Sequence, residues 1–94
     1  MAITLNIEPC VNLTRDLDYP TCKKQGLAKI KEELVEVEEA LNSDSVDTHF
    51  NILEESVDLI TATVTMLESL GFVGDSILRM TEHVNKKNKR RGYF

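Results

Sequence analysis

The chain of 94 residues has no tryptophan, two cysteines, two prolines and four glycines. Two cysteines, Cys10 and Cys22, cannot build a disulfide framework. They suit a reducing cytoplasm, with a single bridge left open to them. So little proline and glycine, beside 41% hydrophobic residues, excludes a disordered chain. No apolar run approaches the ~18 residues of a membrane span. The opening MAITLNIEPC has neither the basic nor the apolar region of a secretory signal. A cytoplasmic protein is the expectation, with no membrane partner. Basic residues are sparse over most of the chain. Residues 1–85 hold six of them against sixteen acids, a charge of −10. The last nine residues hold no acid and carry Lys86, Lys87, Lys89, Arg90 and Arg91, a charge of +5. An acidic body of that size makes nucleic acid a poor general partner, since such binders need a basic face.

A chain this short reads as one domain, 1–94. An N-terminal arm, 1–20, precedes a helical core, 21–94. At this size only about 60–65% of the unfolded surface is buried on folding, so association would add stability. In the arm, Ile3, Leu5 and Ile7 alternate with polar residues, a strand-like period of two that Pro9 interrupts. An extended arm is the first expectation and a short helix the second. Pro20 then suits the first turn of a helix.

Three helices follow from the apolar spacing. Over about 21–41, Leu27, Ile30, Leu34, Val37 and Leu41 form one narrow stripe. The turn-like NSDSVD at 42–47 offers Ser43, Asp44 or Asp47 as the next N-cap. Over about 46–70 there are two adjacent stripes. One is Phe50, Leu53, Val57, Ile60, Val64 and Leu67; the other is Ile52, Leu59, Met66 and Leu70. Together they span about 200°, wider than the ~100° of a surface helix. This helix should be central, with a second subunit helping to cover it. Gly71 ends it. Over about 74–91, Ile77, Met80, Thr81 and Val84 define an inward face that continues through Lys87, Asn88 and Arg91. The fold class is therefore all-α: a bundle of three main helices per chain, completed by oligomerisation.

Two acidic clusters carry the chemistry. The first helix contains Glu32-Glu33-Leu34-Val35-Glu36 and the second Glu55-Ser56-Val57-Asp58. Residues three apart are neighbours on a helix, so each cluster presents carboxylates side by side. Antiparallel packing across a short connection lets the two clusters face each other. Glu33 and Glu55 lie at the edges of apolar stripes, where like charges repel and lose hydration. Hard oxygen ligands without histidine suit Mg²⁺ or Mn²⁺. The plain alternative for the first cluster, as for Glu38 and Glu39, is a solvated helix face. Di-iron and zinc chemistry have no support: neither His49 nor His83 completes a Glu-x-x-His pair, and no Cys/His spacing fits zinc. No phosphate-binding G-x-x-x-x-G-K-[ST] loop is present.

The two acidic motifs in this order, followed by Lys87-Asn88-Lys89-Arg90-Arg91, resemble the MazG-like all-alpha nucleoside triphosphate pyrophosphohydrolases. The similarity covers about residues 21–92 and includes QGLAKIKEELVE and EESVDLITATVTML. It implies an all-alpha bundle assembled as a homodimer or homotetramer. It also implies Mg²⁺-dependent cleavage of a nucleoside triphosphate, (d)NTP, to the monophosphate and pyrophosphate, with Mn²⁺ as a substitute. The family pattern makes Glu33, Glu36, Glu55 and Asp58 the metal ligands. Glu32, Glu33 and Glu36 become the catalytic set, Glu32 as an acid behind the metal ligands or a water-orienting base. Lys87, Asn88 and Arg91 become the substrate-binding residues. Nucleotide-pool cleaning is one role consistent with this chemistry. The chain departs from relatives in lacking base-stacking aromatics before the first helix, where Tyr19 stands alone. The phosphoribosyl-ATP pyrophosphatases share the superfamily, but their tail does not usually look like Lys87-Asn88 followed by Arg91, so they rank second. A non-enzymatic helical interaction module and a nucleic-acid contact by the basic tail are the rivals from other classes.

Overall fold

A computed structural model describes residues 1–94. It contains three α-helices and no strand: α1 (Tyr19–Leu41), α2 (Thr48–Ser69) and α3 (Gly74–Arg90). The all-α expectation holds. The arm, expected to be extended, has no regular structure before a 3₁₀ turn at Val11–Leu13.

Each helix boundary has a local cause. Asp18 caps α1, its side chain accepting the Thr21 N–H at 2.8 Å. That bond holds the Asp18 carboxyl below its usual range. Pro20 fills the first turn, where its missing N–H is not needed. The helix therefore starts two residues before the position the stripe suggested. At α2 the N-cap position is Asp47, but its side chain makes no capping bond. Thr48 fixes the turn instead, its hydroxyl lying 2.6 Å from the Ser45 carbonyl and 3.1 Å from that of Ser43. Gly71, at φ 92°, closes α2. Its N–H bonds the Glu68 carbonyl and that of Phe72 bonds Leu67, the paired pattern of a Schellman motif.

The helices α1 and α2 pack as an antiparallel pair. Gly26 meets Met66, the Glu33 and Asp58 carboxylates converge, and Ala40 shares a surface depression with Asn51. The α1 face turned to α2 runs through Cys22, Gly26, Glu33 and Ala40, with Cys22, Glu33 and Ala40 buried. It is not the leucine stripe. Leu27, Leu34 and Leu41 each follow one residue behind that face, about 100° further round the helix, and all are more than half exposed. On α2 the buried residues are Ala62 and Thr65, while Phe50 and Leu53 are about two-thirds exposed at 66% and 65%. Small residues thus bring the helix axes together, with Ile30 and Val37 half-buried beside them, and leave Leu27, Leu34, Leu41, Phe50 and Leu53 outward.

The third helix corrects an expectation. No Cα of α3 comes within 8 Å of one in α1 or α2. Met80, Thr81 and Arg91 are exposed, and Ile77, Val84, Lys87 and Asn88 are half-buried. There is no inward face within one chain, because three apolar residues over four turns bury too little surface to hold α3 on the pair. Within one chain α2 meets only α1 and the 3₁₀ turn. The radius of gyration is 15.3 Å, against about 12–13 Å for a compact chain of this length. Only five residues are buried, and none of them is large.

Candidate metal centre

The α1–α2 register builds the acidic site. Glu33 projects from the packed face of α1, and Glu55 and Asp58 lie on successive turns of α2. One carboxylate oxygen from each lies within 4.8 Å of the others. Glu33 is only 6% exposed. The Oε2 atoms of Glu33 and Glu55 are both buried and have no hydrogen-bond partner. Buried anionic oxygens without a partner are costly. Three hard oxygen donors with two orphaned lone-pair sets fit a divalent cation such as Mg²⁺ or Mn²⁺, and the set contains no soft ligand.

Glu36 lies one turn beyond Glu33, half-buried, and belongs to the same electrostatic unit. Its pKa is pushed up to about 7. The main cause is a hydrogen bond shared with Glu55, so that a protonated Glu36 donates to the Glu55 carboxylate; the negative charge of Glu33 adds to it. Glu36 and Glu55 also line an open depression with Glu39, Ser43 and Asn51. Glu32 is at the exposed rim, its Oε1 3.3 Å from Lys29 Nζ. Lys29 Nζ is closer still to Glu33 Oε1, at 3.0 Å. These two carboxylates, Glu33 first, hold the Lys29 ammonium above its usual pKa.

On its other side the centre opens into a cavity of about 600 Å³. Glu33, Asp58 and Lys29 stand at one end, with Gln25, Thr65 and Met66 among the remaining wall residues. The arm closes part of this cavity through Cys10 and Leu13. It is pinned there by the Cys10 N–H, which donates to Thr65 Oγ1 at 3.0 Å.

Of the residues singled out in the sequence, Glu33, Glu55 and Asp58 come together and Glu36 joins them through Glu55. Lys87, Asn88 and Arg91 do not: the first two sit on α3 and Arg91 caps its C-terminus, away from the carboxylates of their own chain. His49 and His83 are exposed. Sequence reasoning passed over Lys29, whose signal was its i,i+4 spacing to Glu33. The Cys10–Thr65 link, across 55 residues, left no local signal.

A protein-family model described as phosphoribosyl-ATP pyrophosphohydrolase matches residues 17–88. That span contains the four expected metal ligands, Glu33, Glu36, Glu55 and Asp58, and ends at Asn88. No curated protein and no solved structure gives a significant match.

Proposed function

This chain belongs to the phosphoribosyl-ATP pyrophosphohydrolase family, within the MazG-like all-alpha superfamily, and from that premise we propose that it hydrolyses a nucleoside triphosphate, (d)NTP, to the monophosphate and pyrophosphate in a reaction that requires Mg²⁺ or Mn²⁺. The observation that carries this reading is the set of Glu33, Glu55 and Asp58 oxygens within 4.8 Å of one another, two of these residues each leaving a buried oxygen unpartnered. Glu33, Glu55 and Asp58 would hold the cation, and Glu36 would join them once its proton leaves. A divalent cation bound there supplies positive charge to phosphate oxygens and lowers the pKa of a coordinated water.

The remaining work belongs to side chains. Water attacks the α-phosphorus, the new P–O bond forms, and the bond to the α–β bridging oxygen breaks. Glu32, on the solvent rim beside Glu33, is the proposed base that orients the water and accepts its proton. The pyrophosphate carries away the bridging oxygen. Its charge needs cations and hydrogen-bond donors: Lys87 and Arg91 are the proposed cations and Asn88 the proposed neutral donor.

Because α3 lies apart from α1 and α2, we assign these three residues to the site of a second copy. Each chain leaves Leu27, Leu34, Phe50 and Leu53 outward, a surface suited to a homodimer or to a dimer of dimers. The acidic centre and the basic end of α3 are complementary in charge. A cytoplasmic location accords with a nucleotide substrate.

A second reading has its own support. The family description names phosphoribosyl-ATP, so a substituted ATP competes with the ordinary (d)NTPs. Both readings share the α–β phosphoanhydride. A pyrophosphate-release screen over canonical and modified (d)NTPs and phosphoribosyl-ATP, with Mg²⁺, Mn²⁺ or EDTA, tests them together. Release from a (d)NTP is expected with either metal and absent in EDTA. Exclusive release from phosphoribosyl-ATP selects the second reading. No release from any of them overturns both.

A further inference from the structure

We propose that Lys29 is a phosphate-binding residue of the cavity, resting on its carboxylate neighbours until a polyphosphate arrives. The inference rests on the triphosphate reading above and adds a residue to it.

Lys29 is the only basic residue lining the cavity, and none lines the depression on the other side of the carboxylates. Around it stand Glu32, Glu33 and Asp58, a field that repels any polyphosphate. A divalent cation at Glu33, Glu55 and Asp58 offsets only part of that charge. The ammonium beside them is the one group in this chain that can offset more.

The position of Lys29 fits that task. It lies one helical turn before Glu33 on α1. A substrate with one phosphate at the carboxylate end and its remainder in the cavity must pass its Nζ. Lys29 Nζ has three N–H donors, and its two observed partners are Glu33 Oε1 at 3.0 Å and Glu32 Oε1 at 3.3 Å. A third donor is therefore free for a phosphate oxygen. Its side chain is 46% exposed, so it can swing without disturbing the core. A cation bound by Glu33 would also weaken that carboxylate's hold on Lys29 and release more of its donor capacity.

The competing role is bracing: Lys29 would only hold Glu33 in position. Two binding measurements separate the roles without turnover. The first titrates Mn²⁺ into nucleotide-free protein and follows it by electron paramagnetic resonance. The second measures, by calorimetry with Mg²⁺, the affinity of an α,β-methylene nucleoside triphosphate and of the parent nucleoside. Wild type, Lys29→Gln and Lys29→Arg are compared, with circular dichroism as the check on folding. Loss of a charge-assisted hydrogen bond to phosphate should weaken the Lys29→Gln affinity for the analogue about tenfold or more. Nucleoside affinity should stay unchanged, Mn²⁺ affinity should stay level or rise, and Lys29→Arg should restore most of the analogue binding. Equal analogue affinity in Lys29→Gln and wild type overturns the proposal alone. A parallel loss of Mn²⁺ and analogue affinity also overturns it, in favour of bracing. A wild-type protein that binds Mn²⁺ but not the analogue overturns the triphosphate reading together with it.

Discussion

Gly26 of α1 lies so close to Met66 of α2 that a Cβ added to Gly26 would stand 2.5 Å from Met66 Cγ and 3.0 Å from Met66 Cβ. This contact sets the spacing of the two helices at the cavity end of the acidic site. The atoms met are near the root of the Met66 side chain, so bending its flexible tip does not relieve the overlap. Gly26→Ala gains about 1 kcal/mol of helix propensity but incurs overpacking of about 1–3 kcal/mol. The expected net result is a destabilisation of about 1 kcal/mol, larger for Gly26→Val. In a Met66→Gly background both of these atoms are gone and the same Gly26→Ala change should stabilise. Urea unfolding of the four proteins in this double-mutant cycle checks the change of sign. Gly26→Ala stabilising in both backgrounds would show that the helices are not held apart by this contact.

Neutralising a carboxylate should separate catalysis from folding. Glu36→Gln, Glu55→Gln and Asp58→Asn should each abolish pyrophosphate release while leaving the helical circular dichroism intact. Above pH 7, where Glu36 too has lost its proton, each also removes one like charge from a crowded group. The metal-free variants should therefore melt at or above the wild-type temperature, a direction opposite to most substitutions at a packed helix interface. Saturating Mg²⁺ should raise wild-type stability, by about 2.7 kcal/mol at a hundred times Kd, and should raise that of the variants far less. Full activity of Glu36→Gln or Asp58→Asn, or of wild type in EDTA, contradicts the metal assignment.

The titration of Glu36 gives the metal-free protein a pH dependence of unusual sign. Its pKa rises from 4.5 to about 7 on folding, chiefly through the proton shared with Glu55 and next through the charge of Glu33. Between those values the folded chain holds a proton that the unfolded chain has lost. Stability from this group is therefore fully present below pH 4.5 and declines as pH rises towards 7. Metal-free melting temperatures should fall across that window, and Glu36→Gln should flatten the slope. Divalent binding should strengthen with pH over the same range, because the cation displaces that proton. Thermal melts at pH 5, 6 and 7, with and without Mg²⁺, measure both effects. A wild-type melting temperature that climbs from pH 5 to 7 without metal would be incompatible with this account.

Much of this centre was legible in the sequence because it depends on helical spacing. Glu55 and Asp58 are three apart on α2, and Glu33 and Glu36 three apart on α1, so each pair shares a face whatever else the chain does. The short connection between the helices then supplies the antiparallel register. The packed face was misread in part: Ile30 and Val37 of the stripe lie half-buried on it and the leucines do not. The reason is physical. Leu27, Leu34 and Leu41 carry the strongest apolar signal on α1, but close approach needs small residues, and Gly26 and Ala40 provide it. The leucines are thus left outward, as Phe50 and Leu53 are on α2. Periodicity cannot say whether an apolar stripe meets its own chain or another copy. The same ambiguity put Lys87, Asn88 and Arg91 on an inward face that a single chain does not have.

That misreading leads to a test of how the active unit is assembled. If α3 serves the carboxylates of a second copy, Asp58→Asn and Arg91→Ala damage different halves of a shared site. Each variant alone should be inactive or nearly so. Co-refolding them in equal amounts gives mixed dimers in which one site carries both lesions and the other carries none. Half of the dimers should be mixed and half of their sites intact, so activity should return to about a quarter of wild type for a symmetric dimer. A site completed within one chain gives no intact centre in any mixture, and activity stays at the level of the parents. Pyrophosphate release from the co-refolded mixture distinguishes these outcomes. Sedimentation should show a dimer or larger assembly for both variants. Val84→Asp, placed on the half-buried line of α3, should shift that equilibrium towards monomer and lower activity in proportion to the dimer lost. A fully active monomer would rule out the shared site.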